Sequence, residues 1–274
     1  MVVRLDSTVR LNNGVEMPVL GLGTAGASGK ACVAAVRAAL DVGYRLVDTA
    51  SAYGNEREIG LAVQESRVSR NEVFITTKVA NPEQGYASTL RACEESLGKL
   101  KMEYVDLYLI HWPAPQKRIE TWRAMGELLE RGNARAIGVS NYMIRHLEEL
   151  RDVGPTGPAV NQIELSPFLR PDDLIAHCQE RGIVAEAYSP LTRGHRLKNH
   201  TIVKVATKYG RTPAQVLIRW SLQHGFVPIP KSVRTERIRE NADVFDWELD
   251  PADMRTLDAL NEGRHFDWDP SDVP

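Results

Sequence analysis

Short apolar runs recur along the chain, and each is followed by a longer stretch in which apolar residues return every three or four positions. The runs are Val19–Leu22, Arg45–Val47, Val73–Thr77, Val105–Ile110, Ala136–Val139, Ala159–Ile163, Val184–Ala187 and Phe226–Ile229. Several are almost wholly apolar, as parallel strands buried on both faces must be. The stretches between them read as amphipathic helices with recognisable starts. Asn55 with Glu58 resembles a capping box, and Thr212-Pro213-Ala214-Gln215 sets a cap, a first-turn proline and a reciprocal Gln in order. Ahead of the first unit, Val9-Arg10-Leu11 and Val15-Glu16-Met17 flank Asn12-Asn13-Gly14, which predicts a β-hairpin. Eight strand-then-helix units predict an α/β fold, a (β/α)8 TIM barrel, with an open doubly wound sheet as the alternative. No linker or low-complexity segment divides residues 1–274, so one domain is expected.

Composition narrows the functional classes. Basic and acidic residues number 34 and 36, and the net charge of −2 gives no reason to expect binding to nucleic acid or an anionic membrane. The start, Met1-Val2-Val3-Arg4-Leu5-Asp6, becomes charged too soon for a signal peptide, and no apolar run is long enough to cross a bilayer. A cytoplasmic enzyme or ligand binder is expected. Cys32, Cys93 and Cys178 form an odd, scattered set within helical stretches, which suits packing rather than a disulfide framework. Neither Cys-x-x-Cys nor His-Glu-x-x-His occurs, so no metal is expected. Only His111 has an unusual setting; His146, His177, His195, His200, His224 and His265 read as surface or helix positions.

Gly21-Leu22-Gly23-Thr24-Ala25-Gly26 matches G-x-G-x-x-G after a strand candidate, with Asp48 as a downstream acid. A dinucleotide-binding turn needs its helix to begin inside the motif, so that the helix N-terminus meets the pyrophosphate. Here loop-like residues continue to Lys30, and a helix begins near Ala31. The motif reads as a strand-to-helix turn or a different ligand loop.

The residues at which the apolar runs stop carry more information. Asp48, Lys78, His111, Ser140-Asn141, Gln162 and Tyr188 end or follow successive strands, and Tyr53 comes just after the second. In a parallel barrel these ends share one mouth. Singly, Asp48 reads as a helix-start acid, Lys78 as a surface charge, His111 as a core histidine and Tyr53 as a loop aromatic. Jointly these readings are poor, because a charge ending an apolar strand is costly without a partner, and Asp48 and Lys78 offer one another that partner.

The chain resembles the aldo-keto reductases, and most of all the bacterial branch similar to 2,5-diketo-D-gluconate reductases. The motifs are Leu46-Val47-Asp48-Thr49-Ala50 with Tyr53-Gly54-Asn55-Glu56, Thr77-Lys78, Leu109-Ile110-His111-Trp112-Pro113, Gly138-Val139-Ser140-Asn141, Asn161-Gln162-Ile163-Glu164, Ala187-Tyr188-Ser189-Pro190-Leu191 and Ile229-Pro230-Lys231-Ser232. The resemblance spans nearly the whole chain. It implies a barrel closed at its bottom by the hairpin, with a nicotinamide cofactor across the mouth. It implies Asp48, Tyr53, Lys78 and His111 as the catalytic four. Ser140, Asn141 and Gln162 would hold the nicotinamide carboxamide and Tyr188 would stack on its ring; Asp48, Gly23, Thr24, Ser189 and Leu191 would be further cofactor contacts. Lys231, Ser232, Val233 and Arg237 match positions that hold the 2′-phosphate of NADPH, with Glu240 and Asn241 near the adenine. By composition alone that segment is equally a phosphate site and a basic helix face.

Carbonyl reduction needs a hydride at carbon and a proton at oxygen, and the cofactor carries the hydride. Tyrosine is a weak acid, with an ordinary pKa of about 10. The ammonium of Lys78 is expected to lower that value, with Asp48 keeping the amine charged and oriented. Tyr53 is the expected proton donor. His111 is expected to be neutral and to orient the substrate oxygen.

The chain departs from many relatives in having Ala25 and Ala80 where bulky aromatics stand, while Trp112 is kept. It has Ser166 where His is common, a short Thr192–His200 segment, and a brief Asp- and Pro-rich tail, Phe266–Pro274. A pocket bounded by Tyr53, His111, Trp112, Ala25 and Ala80 suits small aldehydes or sugar-derived ketones. The expected protein is a monomeric NADP(H)-dependent carbonyl reductase. The alternatives are a non-enzymatic NADP(H)-binding redox-sensing or structural protein of the same fold, and a 2-hydroxy acid dehydrogenase with an open sheet.

Overall fold

The computed structural model describes residues 3–153 and 156–274. Met1 and Val2 of the chain start lie outside them. Two short strands, β1 (Thr8–Arg10) and β2 (Glu16–Pro18), pair antiparallel with Val9 opposite Met17. Eight further strands form one parallel sheet: β3 (Gly21–Gly23), β4 (Leu46–Asp48), β5 (Phe74–Val79), β6 (Val105–Ile110), β7 (Ala134–Ser140), β8 (Val160–Glu164), β9 (Val184–Tyr188) and β10 (Val227–Pro228). They lie side by side in chain order, and a parallel bridge between Gly23 and Lys231 brings the two edges together. The sheet is thus a nearly closed barrel, and the open doubly wound alternative is excluded. Around it run ten helices among the described residues: α1 (Gly29–Val42), α2 (Glu56–Gln64), α3 (Tyr86–Leu100), α4 (Arg118–Glu130), α5 (Ile144–Leu150), α6 (Asp172–Glu180), α7 (His200–Tyr209), α8 (Pro213–Gln223), α9 (Thr235–Ala242) and α10 (Pro251–Asp258). Among the described residues, no helix is long and apolar enough to cross a membrane.

The strand alternation of period two divides the core in two. Val47, Ile75, Tyr108, Ile137 and Ile163 face outward and pack with helix residues such as Val36, Leu40, Trp122 and Trp220. Leu46, Phe74, Leu107, Leu109, Ala136, Val160 and Val227 face the lumen. Leu11 and Met17 of the hairpin join this inner cluster, so the hairpin plugs the end at which the strands begin. Asn12 and Asn13 anchor it by donating to the carbonyls of Pro158 and Arg135. Its connection is a three-residue loop rather than a two-residue Asn-Gly turn. Gly14 alone takes positive φ, and Leu11 and Val15 close the loop through a backbone bond of 2.9 Å.

On the same inward parity, β4 to β8 turn polar as they rise. Leu46 gives way to Asp48, Phe74 and Thr76 to Lys78, Leu107 and Leu109 to His111, Ala136 and Gly138 to Ser140, and Val160 to Gln162. The lower lumen is therefore filled with apolar side chains and the upper lumen is lined by polar and titratable ones. Gly21 and Gly23 belong to β3, and α1 begins at Gly29, after the glycine motif has ended. The motif is not a dinucleotide-binding turn. Gly21 and Gly23 serve barrel closure: a Cβ on Gly23 would lie 2.7 Å from the carbonyl oxygen of Ile229. The three cysteines are buried and free.

Candidate active site

Asp48 ends β4, Lys78 lies near the end of β5, and Tyr53 is carried on a single 3₁₀ turn, Ser51–Tyr53, between β4 and α2. Asn55 holds that turn in place. Its amide donates to the carbonyls of Thr24 and Ala27, and its oxygen accepts from Thr49 at 2.6 Å. The expected capping box with Glu58 is absent, because this side chain is spent on the loop and Glu58 accepts instead from the Gly29 amide. Lys78 is fully buried. Its Nζ lies 2.7 Å from Asp48 Oδ1, 2.8 Å from the Thr49 carbonyl and 3.5 Å from the Tyr53 hydroxyl. The His111 ring meets the Tyr53 ring edge-on at 5.5 Å and stacks with Trp112. The four residues expected to work together do converge at the open end of the barrel.

Their electrostatics differ from the sequence expectation at one point. Tyr53 stands above its ordinary value, because burial outweighs the pull of Lys78 and the charge of Asp48 adds to it. The phenol is therefore held protonated. Lys78 is raised despite its burial by Asp48 and by Tyr53, and so remains an ammonium. His111 is pushed down to about 3, first by burial and then by Lys78. Its imidazole is neutral, as expected, with desolvation the larger cause.

Beside this cluster, Asn141 takes positive φ and bridges three elements. Its amide donates to the His111 carbonyl and to Ser140 Oγ, and its oxygen accepts from the Tyr188 hydroxyl at 2.8 Å. Gln162 donates to Asp48 Oδ2 at 2.8 Å. Ser140, Asn141, Gln162 and Tyr188 thus form one wall against the cluster, with amide and hydroxyl groups suited to a bound carboxamide. Thr24 is buried and its hydroxyl is committed to the Asp48 carbonyl. Ser189 accompanies Arg193 in hydrogen bonds to Asp267 of the tail, and Leu191 is half-buried in the same loop. At the far side, Lys231, Val233 and Arg237 are exposed around the start of α9, a chemistry suited to a phosphate. Ser232 is tied to Arg234 by a local turn, Glu240 accepts from Thr212, and Asn241 is buried. Ala25 is exposed and Ala80 half-buried.

Three residues near the site were passed over in the sequence. Glu186, also inward-facing on β9, is fully buried and accepts from Gln162. Its signal was an acid within an apolar run, two residues before Tyr188. Trp268 packs edge-on against Trp112 at 4.7 Å, and a cavity of about 340 Å³ lies beside the pair. Nothing local in the tail announces that contact. His146, read as a surface or helix position, lies on α5 but is buried, and its Nε2 lies 3.0 Å from the Val273 carbonyl. Among the described residues, no group of three His, Cys, Asp or Glu side chains is placed to hold a metal ion.

An acid–lysine–phenol cluster at the C-terminal rim of a (β/α)8 barrel defines a class of oxidoreductase, and comparison agrees. Residues 19–262 match the model of the aldo/keto reductase family, and the chain belongs to that family. It is 47% identical to glyoxal reductase of Bacillus subtilis (strain 168), covering 100% of this chain and 99% of the relative. The crystal structure of MGS-M4, an aldo-keto reductase from a Medee basin deep-sea metagenome library, superposes with a TM-score of 0.92 at 42% identity, covering 97% of this chain and 99% of the other. A Gox0644 variant solved in complex with NADPH superposes with a TM-score of 0.92 at 41% identity, covering 98% of each chain.

Proposed function

We propose that this protein reduces aldehyde and ketone carbonyls to alcohols with NADP(H) as cofactor, and that Tyr53 gives the proton to the carbonyl oxygen. The observation that carries this reading is the part-buried contact of the Tyr53 hydroxyl with the fully buried Lys78, itself held by Asp48. When bound, the cofactor supplies the hydride that the carbonyl carbon receives. Burial keeps the Tyr53 proton in place until an oxygen of much higher basicity, a nascent alkoxide, takes it. The phenolate left behind is stabilised by the Lys78 ammonium, which Asp48 and the Thr49 carbonyl hold in position. Neutral His111 orients the carbonyl oxygen by an N–H bond without adding a second cation beside Lys78. In alcohol oxidation the reverse holds: the phenolate form of Tyr53, stabilised by the Lys78 ammonium, takes the alcohol proton.

Ser140, Asn141 and Gln162 would hold the carboxamide and Tyr188 the nicotinamide face. Gly23, Thr24, Ser189 and Leu191 would line the stretch between, and Lys231, Ser232, Val233 and Arg237 the 2′-phosphate, with Glu240 and Asn241 toward the adenine. Substrate would meet Tyr53, His111 and Trp112. Ala25 and Ala80 leave the wall between them open. With a glyoxal reductase among the relatives, small aldehydes and dicarbonyls are the first substrates to try, and keto sugars the second.

The test is NADPH oxidation against a panel of these carbonyls, with Tyr53→Phe as the comparison. The variant is expected to fold, to bind NADPH within about twofold of the unaltered protein, and to lose turnover by about 100-fold or more. Near-normal turnover would overturn the role of Tyr53. Tight NADPH binding with no turnover of any carbonyl by the unaltered protein would favour a sensing or structural role.

A further inference from the structure

Glu186 stands directly beneath the site and has no part in the chemistry above. It is fully buried at the middle of β9, paired in register with Gln162 on one side and Val227 on the other. Its Oε2 accepts from Gln162 Nε2 at 2.7 Å, while its Oε1 is sealed from solvent without a partner. The same Gln162 nitrogen donates to Asp48 Oδ2. Both amide hydrogens of Gln162 are therefore directed at carboxyl oxygens, and a carbonyl oxygen turned that way would face the Asp48 carboxylate, which has no hydrogen to give it. The Gln162 amide oxygen takes no hydrogen bond from a described side chain and is not sealed from solvent.

We propose that Glu186 is a positioning residue: it pins the nitrogen of Gln162 inward, so that the amide oxygen is the group offered to the N–H of a bound carboxamide. This rests on the cofactor reading above. Asp48 alone supplies one acceptor, and one bond leaves the amide free to rock about it. The second, from the opposite side, fixes the plane of the group. A buried carboxyl is costly to keep, and burial with the nearby Asp48 charge pushes this one up to about 8. An acid retained under that penalty, between Gln162 and the filled lumen, is explained by the orientation it enforces.

The experiment compares dissociation constants for NADPH and its 3-acetylpyridine analogue, in which a methyl ketone replaces the carboxamide and the N–H donors are gone. The unaltered protein is expected to prefer NADPH. Glu186→Leu is expected to reduce that preference by about threefold or more through weaker NADPH binding, with analogue binding unchanged. Glu186→Gln keeps an acceptor oxygen at the same reach and is expected to retain the preference within about twofold. In a Gln162→Leu background, Glu186→Leu is expected to change nothing further. If Glu186→Leu fails to fold, Glu186→Met gives the same comparison. Full retention of the preference by the apolar variant, or equal weakening of both ligands, overturns the proposal while leaving the cofactor reading intact. Failure of the unaltered protein to bind NADPH, or to prefer it, overturns both.

Discussion

At the scale of single residues, the site works by removing water from groups that would otherwise titrate. His111 illustrates the consequence for pH. Its imidazole is pushed from 6.5 to about 3 by burial and by Lys78. Between these values the unfolded chain takes up a proton that the folded chain refuses, so this group makes stability fall as pH drops from 6.5 toward 3. Glu186 acts in the opposite sense: raised from 4.5 to about 8, it holds a proton in the folded state that the unfolded chain has lost. Its effect makes stability fall as pH rises through that window, and the two oppose each other where the windows overlap. Comparison with a variant separates them. In cofactor-free protein, His111→Gln is expected to be less acid-sensitive than the unaltered chain between about pH 4 and 6. Urea midpoints across that range measure it, and parallel pH curves for the two proteins would contradict the assignment.

At the scale of elements, the strand run Val105–Ile110 was placed to the residue, and the other barrel strands within one or two residues at most ends. Periodicity reports burial, and a parallel barrel buries every strand on both sides. Side-chain partners were less legible. Thr212 and Gln215 do form their capping box, because both ends of that interaction lie within one turn. Asn55 does not, because Thr24, Ala27 and Thr49 compete for its side chain from elsewhere. The glycine motif teaches the same lesson. Gly23 is needed because β3 meets the end of β10 there, a contact between the two ends of the sheet. Gly23→Ala is expected to cost about 1 to 3 kcal/mol, since its Cβ would press on the Ile229 carbonyl, which is backbone and yields little. Chemical denaturation measures this; a variant as stable as the unaltered chain would show that the barrel seam can open without penalty.

At the scale of the whole molecule, the tail after α10 returns across the mouth. The Phe266 and Asp267 amides donate to buried Glu164, Asp267 binds Ser189 and Arg193, and Trp268 reaches Trp112. Trp268 is 54% exposed, so it contributes little to the fold and offers its face to whatever occupies the pocket. Trp268→Ala is expected to leave stability within about 0.5 kcal/mol. It is expected to raise KM for an aromatic aldehyde by about fivefold, with little change for a two- or three-carbon aldehyde. Equal KM changes for both substrates would remove Trp268 from the substrate wall.

The linear order of residues was enough to determine the alternation of strands and helices, the inward parity of Asp48, Lys78, His111 and Gln162, and the family likeness. Each of these depends on local spacing or on motifs a few residues long. The tertiary structure alone decided that Glu186 and Asp48 share one amide, that Tyr53 is held above its ordinary acidity range rather than below it, and that Trp268 closes on Trp112. Those outcomes follow from desolvation and from contacts between distant segments, and both exist only once the barrel has closed.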